Sequence, residues 1–264
     1  MSSGVTFCFI VIKDLVKEHV WTKWFDELRA RNFPFTVLTH CSKPEAINSP
    51  WLKSTLIPAE YTKPTSWEQH TKAILSLHKY ALETTNSDWY TLHSESCVPF
   101  VNVDTFIEMY TKYRSNTFLS YSKIWWDPLV ANRANLYKIP EDHRYAHQEW
   151  CILCREDAEQ VMQISEMHAN FTEIMTSGVI AEESLIGVFI SMINDFKNVV
   201  NKKTTAVDWT RSTNSSCNPH MFNEWSEKDV EIIGALKPDN MLMFLRKIGP
   251  SFPDDVLFNF IKNQ

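Results

Sequence analysis

Glycine is scarce in this chain, at 5 of 264 residues, and no GxGxxG and no GxxxxGK[ST] occurs. Glycine-rich turns that cradle phosphates in dinucleotide folds and P-loops are therefore excluded. No Asp-x-Asp occurs either, so the close acidic pair that often holds a divalent cation is missing. Positive charge is in deficit: 26 Lys and Arg stand against 32 Asp and Glu, a net charge of −6, which argues against a general nucleic-acid binder. No apolar run approaches the ~20 residues that cross a bilayer. The first apolar run, Val5 to Ile12, has no basic lead and is broken by Lys13 and Asp14, so it reads as a strand rather than a signal peptide. The six cysteines, at 8, 41, 97, 151, 154 and 217, are scattered. Without an export signal they are expected as free thiols, and a cytoplasmic location is expected with them. Cys151 and Cys154 form a lone CxxC with His147 nearby. The segment reads as a strand, where an offset of three turns the two sulfurs to opposite faces, so no metal is expected.

What the chain does have is apolar bulk. Hydrophobic residues make up 44%, with 10 Trp and 16 Phe, enough for a sizeable core and consistent with one domain over residues 1–264. Residues 6–12 are β-branched and apolar, a buried parallel strand. Val20, Trp21, Trp24, Phe25 and Leu28 follow at helical spacing within 16–31, and Phe35 to Thr39 is a second strand ending at His40. Strand, helix and strand in about forty residues form a βαβ unit and predict an α/β fold. Ser66 with Gln69 reads as a capping box opening a helix that runs to Thr84. Further helices are predicted over 103–112, 155–164, 181–193, 228–236 and 254–262, and strands over 117–122, 149–154, 205–209 and 241–245. Residues 123–148 have no clean period, and a long irregular insert in a compact domain is more often a functional loop than filler.

Four stretches could carry chemistry. Trp89 to Phe100 begins as a buried strand and ends in a polar cluster, His93 to Ser96, closed by Pro99. Ligands of α/β folds sit beyond the carboxyl ends of strands. Glu182 and Glu183 open a predicted helix, where carboxylates complement the dipole; one facing a cleft could equally act as a general base. Arg246 and Lys247 follow the last predicted strand, and Arg211 follows the strand before it. Each suits a solvated surface, and each also suits a diphosphate. Without an acidic metal-binding pair, charge on a diphosphate would have to be met by such cations.

The order of these pieces resembles the core-2/I-branching family of β-1,6-N-acetylglucosaminyltransferase-like glycosyltransferases. Lys63-Pro64-Thr65-Ser66-Trp67-Glu68 is similar to the family segment that precedes a helix, and Leu92-His93-Ser94-Glu95-Ser96-Cys97-Val98-Pro99-Phe100 to its Leu-Ser-Glu-Ser-Cys-Ile-Pro-Leu. Residues 143–153 and Arg155 to Ala158 resemble its Trp-Arg-Lys-Gly-Ser-Gln-Trp-Phe region and its Arg-x-x-Ala. Glu182-Glu183-Ser184 stands at its Asp-Glu-His, Val207-Asp208-Trp209-Thr210-Arg211 at its Val-Asp-Trp-Ser-Arg, and Phe244-Leu245-Arg246-Lys247-Ile248 at its Phe-Ala-Arg-Lys-Phe. The likeness covers roughly residues 6–255, with Ser-Glu-Ser-Cys-x-Pro its most specific string.

The resemblance implies a GT-A-type fold, a mixed and mostly parallel sheet flanked by helices. It implies an inverting, metal-independent transfer of a sugar, GlcNAc foremost, from a UDP-sugar to a glycan or glycoprotein hydroxyl. UDP-xylose as donor, or a glycan-binding module without turnover, are the alternatives. By position, Glu183 would be the catalytic base, Arg211 and Lys247 would hold the diphosphate, and His40 with Val11 would lie beside the nucleotide. Glu95, Ser96, Trp67 and Arg144 would line the donor-sugar or acceptor pocket. No cofactor, no nucleic acid and no membrane segment are expected. Animal relatives carry an anchor and lumenal disulfides; this chain reads instead as a cytoplasmic enzyme or an anchorless catalytic region. Departures at Glu182, Ser184 and the 144–147 stretch leave the acceptor open.

Overall fold

The computed structural model describes residues 3–212, 218–237 and 240–263. Its centre is β1 (Val5–Val11), where six of the seven positions are buried. A strand with no polar alternation must be covered on both faces. It is: β1 pairs in parallel with β2 (Phe35–Cys41) on one side and β3 (Trp89–Ser94) on the other. Between β1 and β2 runs α1 (Glu18–Ala30), whose Val20, Trp21, Trp24, Phe25 and Leu28 form the predicted apolar face. Phe7 of β1 meets the Trp24 ring edge-on at 5.7 Å. Two indole N–H groups of α1 then reach past the core. Trp21 donates to the Cys97 carbonyl at 2.8 Å and Trp24 to that of Val101 at 3.0 Å. Burying each ring contributes about 2 kcal/mol, and the same rings clamp the polar turn that follows β3.

After the four-residue α2 (Pro50–Lys53), α3 (Thr71–Thr84) leads into β3. Beyond β3 come β4 (Val98–Pro99), α4 (Val103–Tyr113), β5 (Thr117–Phe118), β6 (Tyr121–Lys123), α5 (Pro128–Ala131), β7 (Tyr145–His147), β8 (Ile152–Cys154), α6 (Arg155–Met167) and α7 (Ala169–Thr176). The chain continues through α8 (Leu185–Ile193), β9 (Val199–Val200), β10 (Thr205–Val207), α9 (Glu227–Leu236), β11 (Phe244–Arg246) and α10 (Asp254–Asn263). Among the described residues the main sheet has the order β2-β1-β3-β8-β5-β9, and only β8 runs against the others. A second sheet joins β10, β11 and β4, and β6 and β7 form a separate ribbon. The architecture is thus mixed α/β with a mostly parallel central sheet flanked by helices, as expected. Lys17, buried before α1, fixes the C-terminal segment by donating to the Pro250 and Phe252 carbonyls and to Asp254.

Four local expectations are corrected. The helix after residue 66 begins at Thr71: Ser66 and Gln69 face each other in an isolated antiparallel bridge, because Glu68 sits in the left-handed region at φ 62°. Residues 117–122 divide between β5 and β6, which belong to different sheets. The irregular stretch 123–148 contains α5, two short 3₁₀ turns and β7. Glu182 and Glu183 lie in a 3₁₀ turn, Ala181–Glu183, and α8 starts only at Leu185. The cause is again backbone geometry, since Ile180 is left-handed at φ 54° and Ser184 is non-helical. Cys8, Cys41, Cys97, Cys151 and Cys154 are free and buried, while Cys217 lies outside the described residues. Among the described residues no helix is long and apolar enough to cross a membrane.

Candidate active site

A cleft of about 900 Å³ opens on the side of the sheet where several of the predicted elements meet. Its walls come from the turn before α3, the β6–β7 ribbon, the approach to β8, the 179–183 turn before α8, and the ends of β10 and β11. A concave site of this size with a few converging polar groups is what a small ligand requires.

Glu183 lies in the cleft wall, one-third exposed, with its Oε2 2.7 Å from Nη2 of Arg133. Burial raises its pKa, and the Glu149 and Glu182 charges add to the rise against the lowering by Arg133; the balance is about 7. A carboxylate poised near neutrality is suited to accept a proton from a hydroxyl. Arg133 is itself held: its guanidinium lies 4.5 Å above the Trp126 ring.

Behind Glu183 lies a second charged group that the sequence reading left out. His70, which precedes α3, shares Nε2 with Glu149 Oε1 at 2.7 Å, and its Nδ1 is 3.6 Å from Glu182 Oε1. The other oxygen of Glu182 accepts from the Thr71 hydroxyl at 3.0 Å. Burial lowers the His70 pKa, but the hydrogen bond and charge of Glu149 and the charge of Glu182 outweigh it and lift the value to about 9. Burial likewise pushes Glu182 up. Glu149, Glu182 and Glu183 therefore share the cleft with His70, Arg133 and Arg246.

The backbone that aims these groups is unusual. Ile180 adopts φ 54° and Glu68 φ 62°, and they are joined by a hydrogen bond from the Ile180 N–H to the Glu68 carbonyl at 3.0 Å. A β-branched residue in this region is an outlier costing about 1–3 kcal/mol, and such outliers cluster at functional sites. Arg133 sits among Asn132, Ala134 and Asn135, all left-handed. This loop docks on the other wall where the Ala134 N–H donates to the Val179 carbonyl at 2.8 Å. Gly178 permits the approach: a Cβ there would fall 2.6 Å from the Asn135 nitrogen and 2.7 Å from Ala134 backbone atoms.

Of the residues singled out from sequence, Trp67, Glu182, Glu183 and Arg246 line the cleft. Val11, His40, Glu95, Ser96 and Lys247 gather instead at the carboxyl ends of β1, β2 and β3. There the Ile248 N–H donates to the Ser96 carbonyl at 2.9 Å, bringing Lys247 beside Glu95. Burial and then the adjacent Arg246 lower the Lys247 pKa, partly offset by Glu95. His40 and Val11 are buried; His40 Nε2 accepts from the Lys63 N–H at 2.9 Å and so holds the loop leading to Trp67. Arg144 bonds the Ile139 carbonyl at 2.8 Å and braces its own loop. Arg211 is engaged by Asp208 at 2.6 Å and Asp229 at 2.5 Å.

Arg246 joins the two regions. It donates to the hydroxyls of Ser94 and Ser96, its guanidinium lies 4.2 Å over the Trp150 ring, and it lines the cleft. The rim carries exposed Trp67 (64%), Trp125 (74%) and Trp209 (48%), flat apolar surfaces of the kind that stack on sugar rings. The 123–148 stretch contributes Trp125, Ala131, Arg133, Ala146 and His147 to the walls. His70 and Glu149 had no sequence signal beyond charge, because their pairing spans 79 residues. Among the described residues no three His, Cys, Asp or Glu side chains are grouped as a metal site.

The family described as Core-2/I-Branching enzyme matches residues 5–237. No curated protein matches the chain by sequence. Among solved structures, an active-site mutant of LgtC is similar over 92% of this chain and 88% of its own, at 10% identity and a TM-score of 0.44, a likeness too distant to bear on this site.

Proposed function

Because the chain belongs to the Core-2/I-branching enzyme family and is thereby a glycosyltransferase, we propose that it transfers GlcNAc from UDP-GlcNAc to a glycan hydroxyl, with inversion and without a metal. The observation that supports this best is Glu183, a cleft carboxylate with a pKa near 7 held by Arg133. In this reading Glu183 takes the proton of the acceptor hydroxyl as its oxygen attacks the anomeric carbon. The bond from that carbon to the UDP oxygen breaks on the opposite face, and the electron pair leaves on the diphosphate. No covalent sugar–enzyme species forms, so one carboxylate suffices.

The leaving diphosphate gains negative charge, which Lys247 at the carboxyl ends of the β-strands and Arg246 beside it are suited to neutralise. Arg211 is assigned the same duty by the resemblance, through whatever donor capacity its two carboxylate partners leave. The nucleotide then lies toward Val11 and His40, the donor sugar toward Glu95 and Ser96, and the acceptor toward Trp67 and Trp125. Buried, unpaired thiols fit an enzyme working in a reducing compartment.

The test pairs binding with turnover. Thermal stability is measured with UDP, UDP-GlcNAc and UDP-xylose, each with EDTA and with Mn²⁺; a ligand of the folded state raises the melting point by mass action. A shift with UDP and UDP-GlcNAc that EDTA leaves unchanged is expected, and a larger shift with UDP-xylose would change the donor. Glu183→Gln is expected to abolish transfer while UDP still binds. Loss of UDP binding together with transfer would assign Glu183 a structural role.

A further inference from the structure

The cleft brings three carboxylates together, and one imidazole lies 2.7 Å from one of them and 3.6 Å from a second. We infer that His70, held as an imidazolium between Glu149 and Glu182, is a positioning residue that neutralises both and so sets how readily Glu183 exchanges its proton. The inference rests on the reading of Glu183 as the base.

The geometry is specific. His70 offers Nε2 to Glu149 at 2.7 Å and Nδ1 toward Glu182 at 3.6 Å, so each ring nitrogen faces an acceptor. The 2.7 Å contact is a hydrogen bond and the 3.6 Å one a through-space charge contact, and two carboxylates so close on both sides of one ring favour the cation. Glu182 is fixed on its other side by Thr71, the first residue of the 14-residue α3, whose N-terminal dipole also favours the negative charge. The groups acting on Glu183 are Arg133, Glu149 and Glu182. Those acting on His70 are burial and Arg246, which lower it, and Glu149 and Glu182, which raise it; nearby His40, kept neutral by burial, adds no charge. Two of the three groups acting on Glu183 are therefore also the partners of His70. Remove the cation, and two unneutralised carboxylates face a third, which like-charge repulsion keeps protonated. An ion pair serving only to hold the α3 turn would leave Glu183 unmoved.

NMR of protein carrying ¹³C at glutamate Cδ and ¹⁵N in histidine tests this with no substrate present. The Glu183 signal is the one lost in Glu183→Gln. In the wild type it should titrate near 7, with the His70 ring still cationic at pH 8. In His70→Gln the Glu183 midpoint should rise by about one unit or more. In Glu149→Gln it should fall, and in His70→Lys it should stay near the wild-type value. Opposite displacements in His70→Gln and Glu149→Gln, with rescue by lysine, are the expected result. A Glu183 midpoint unmoved by either substitution overturns the inference, as does a His70 ring that is neutral at pH 7. Should His70→Gln not fold, the fall in Glu149→Gln and the ring titration still decide. Transfer that survives in Glu183→Gln would instead remove the base reading while leaving these midpoints readable, so the two failures are distinct.

Discussion

Arg133→Gln removes the cation that, among the described residues, pairs with Glu183. The ion pair is 2.7 Å long, with side chains 23% and 33% exposed. Two unit charges about 4 Å apart interact by about 1 kcal/mol in water and about 4 kcal/mol at an effective dielectric of about 20. With both groups partly exposed, about 2 kcal/mol is a fair discounted value, or about 1.5 pH units. Glutamine keeps an amide donor on a shorter side chain and removes the charge. The Glu183 midpoint should then move from about 7 to about 8.5. At pH 7 the ionised fraction falls from about one half to about 3%, a loss of about 15-fold in kcat/KM that should be recovered near pH 9.5. The assay is UDP release from UDP-GlcNAc with an acceptor glycan, followed as kcat/KM from pH 5.5 to 9.5. An acid limb that does not move, or a loss equal at every pH, would refute the electrostatic account and leave Arg133 with a purely steric role.

Lys247→Ala should weaken UDP by about 10- to 100-fold, the worth of a charge-assisted contact, while uridine changes by less than about twofold; equal weakening in calorimetry would move the diphosphate elsewhere. Gly178→Ala should reduce transfer at least about tenfold without altering any charge, because its Cβ would fall 2.6–2.7 Å from the backbone that carries Arg133; unchanged kcat/KM would mean that the loop yields freely. Burial holds His40 and His147 neutral down to about pH 4 and His93 to about pH 3. Their folded values lie below the unfolded 6.5, so between pH 6.5 and 4 the unfolded chain binds protons that the folded chain refuses. Glu182 and Glu183, raised in the fold, oppose this with fewer groups. His70, raised to about 9, contributes stability below 6.5 that fades as pH climbs through 9. Urea midpoints should therefore peak near pH 6–7 and fall on both sides, and a flat profile between 4 and 6.5 would contradict it.

The first half of the fold was legible because periodicity there matches the packing. Val5–Val11 is uniformly apolar and central, and the α1 face over Val20 to Leu28 is the one that covers it. The resemblance put Glu183 in the chemistry, and the cleft contains it. The turn that presents it has a helical sequence pattern, and nothing in Ile180-Ala181-Glu182 announces a left-handed isoleucine. Ser66 to Gln69 failed for the same reason: the capping pattern is present, but tertiary contact with Ile180 fixes Glu68 outside the helix. His70 and Glu149 were invisible for a different one. Each is an ordinary polar residue until two segments 79 positions apart are brought within 2.7 Å.

Ile180 has a consequence for how such a chain can change. Its conformation belongs to glycine or asparagine, so replacing it with either would release local strain and raise the melting temperature. The same release would free the turn that aims Glu182 and Glu183. Selection for thermal robustness and selection for turnover thus pull in opposite directions at this single position. A laboratory search that rewards only stability should find Ile180 early, and should deliver a sturdier protein with a slacker cleft wall.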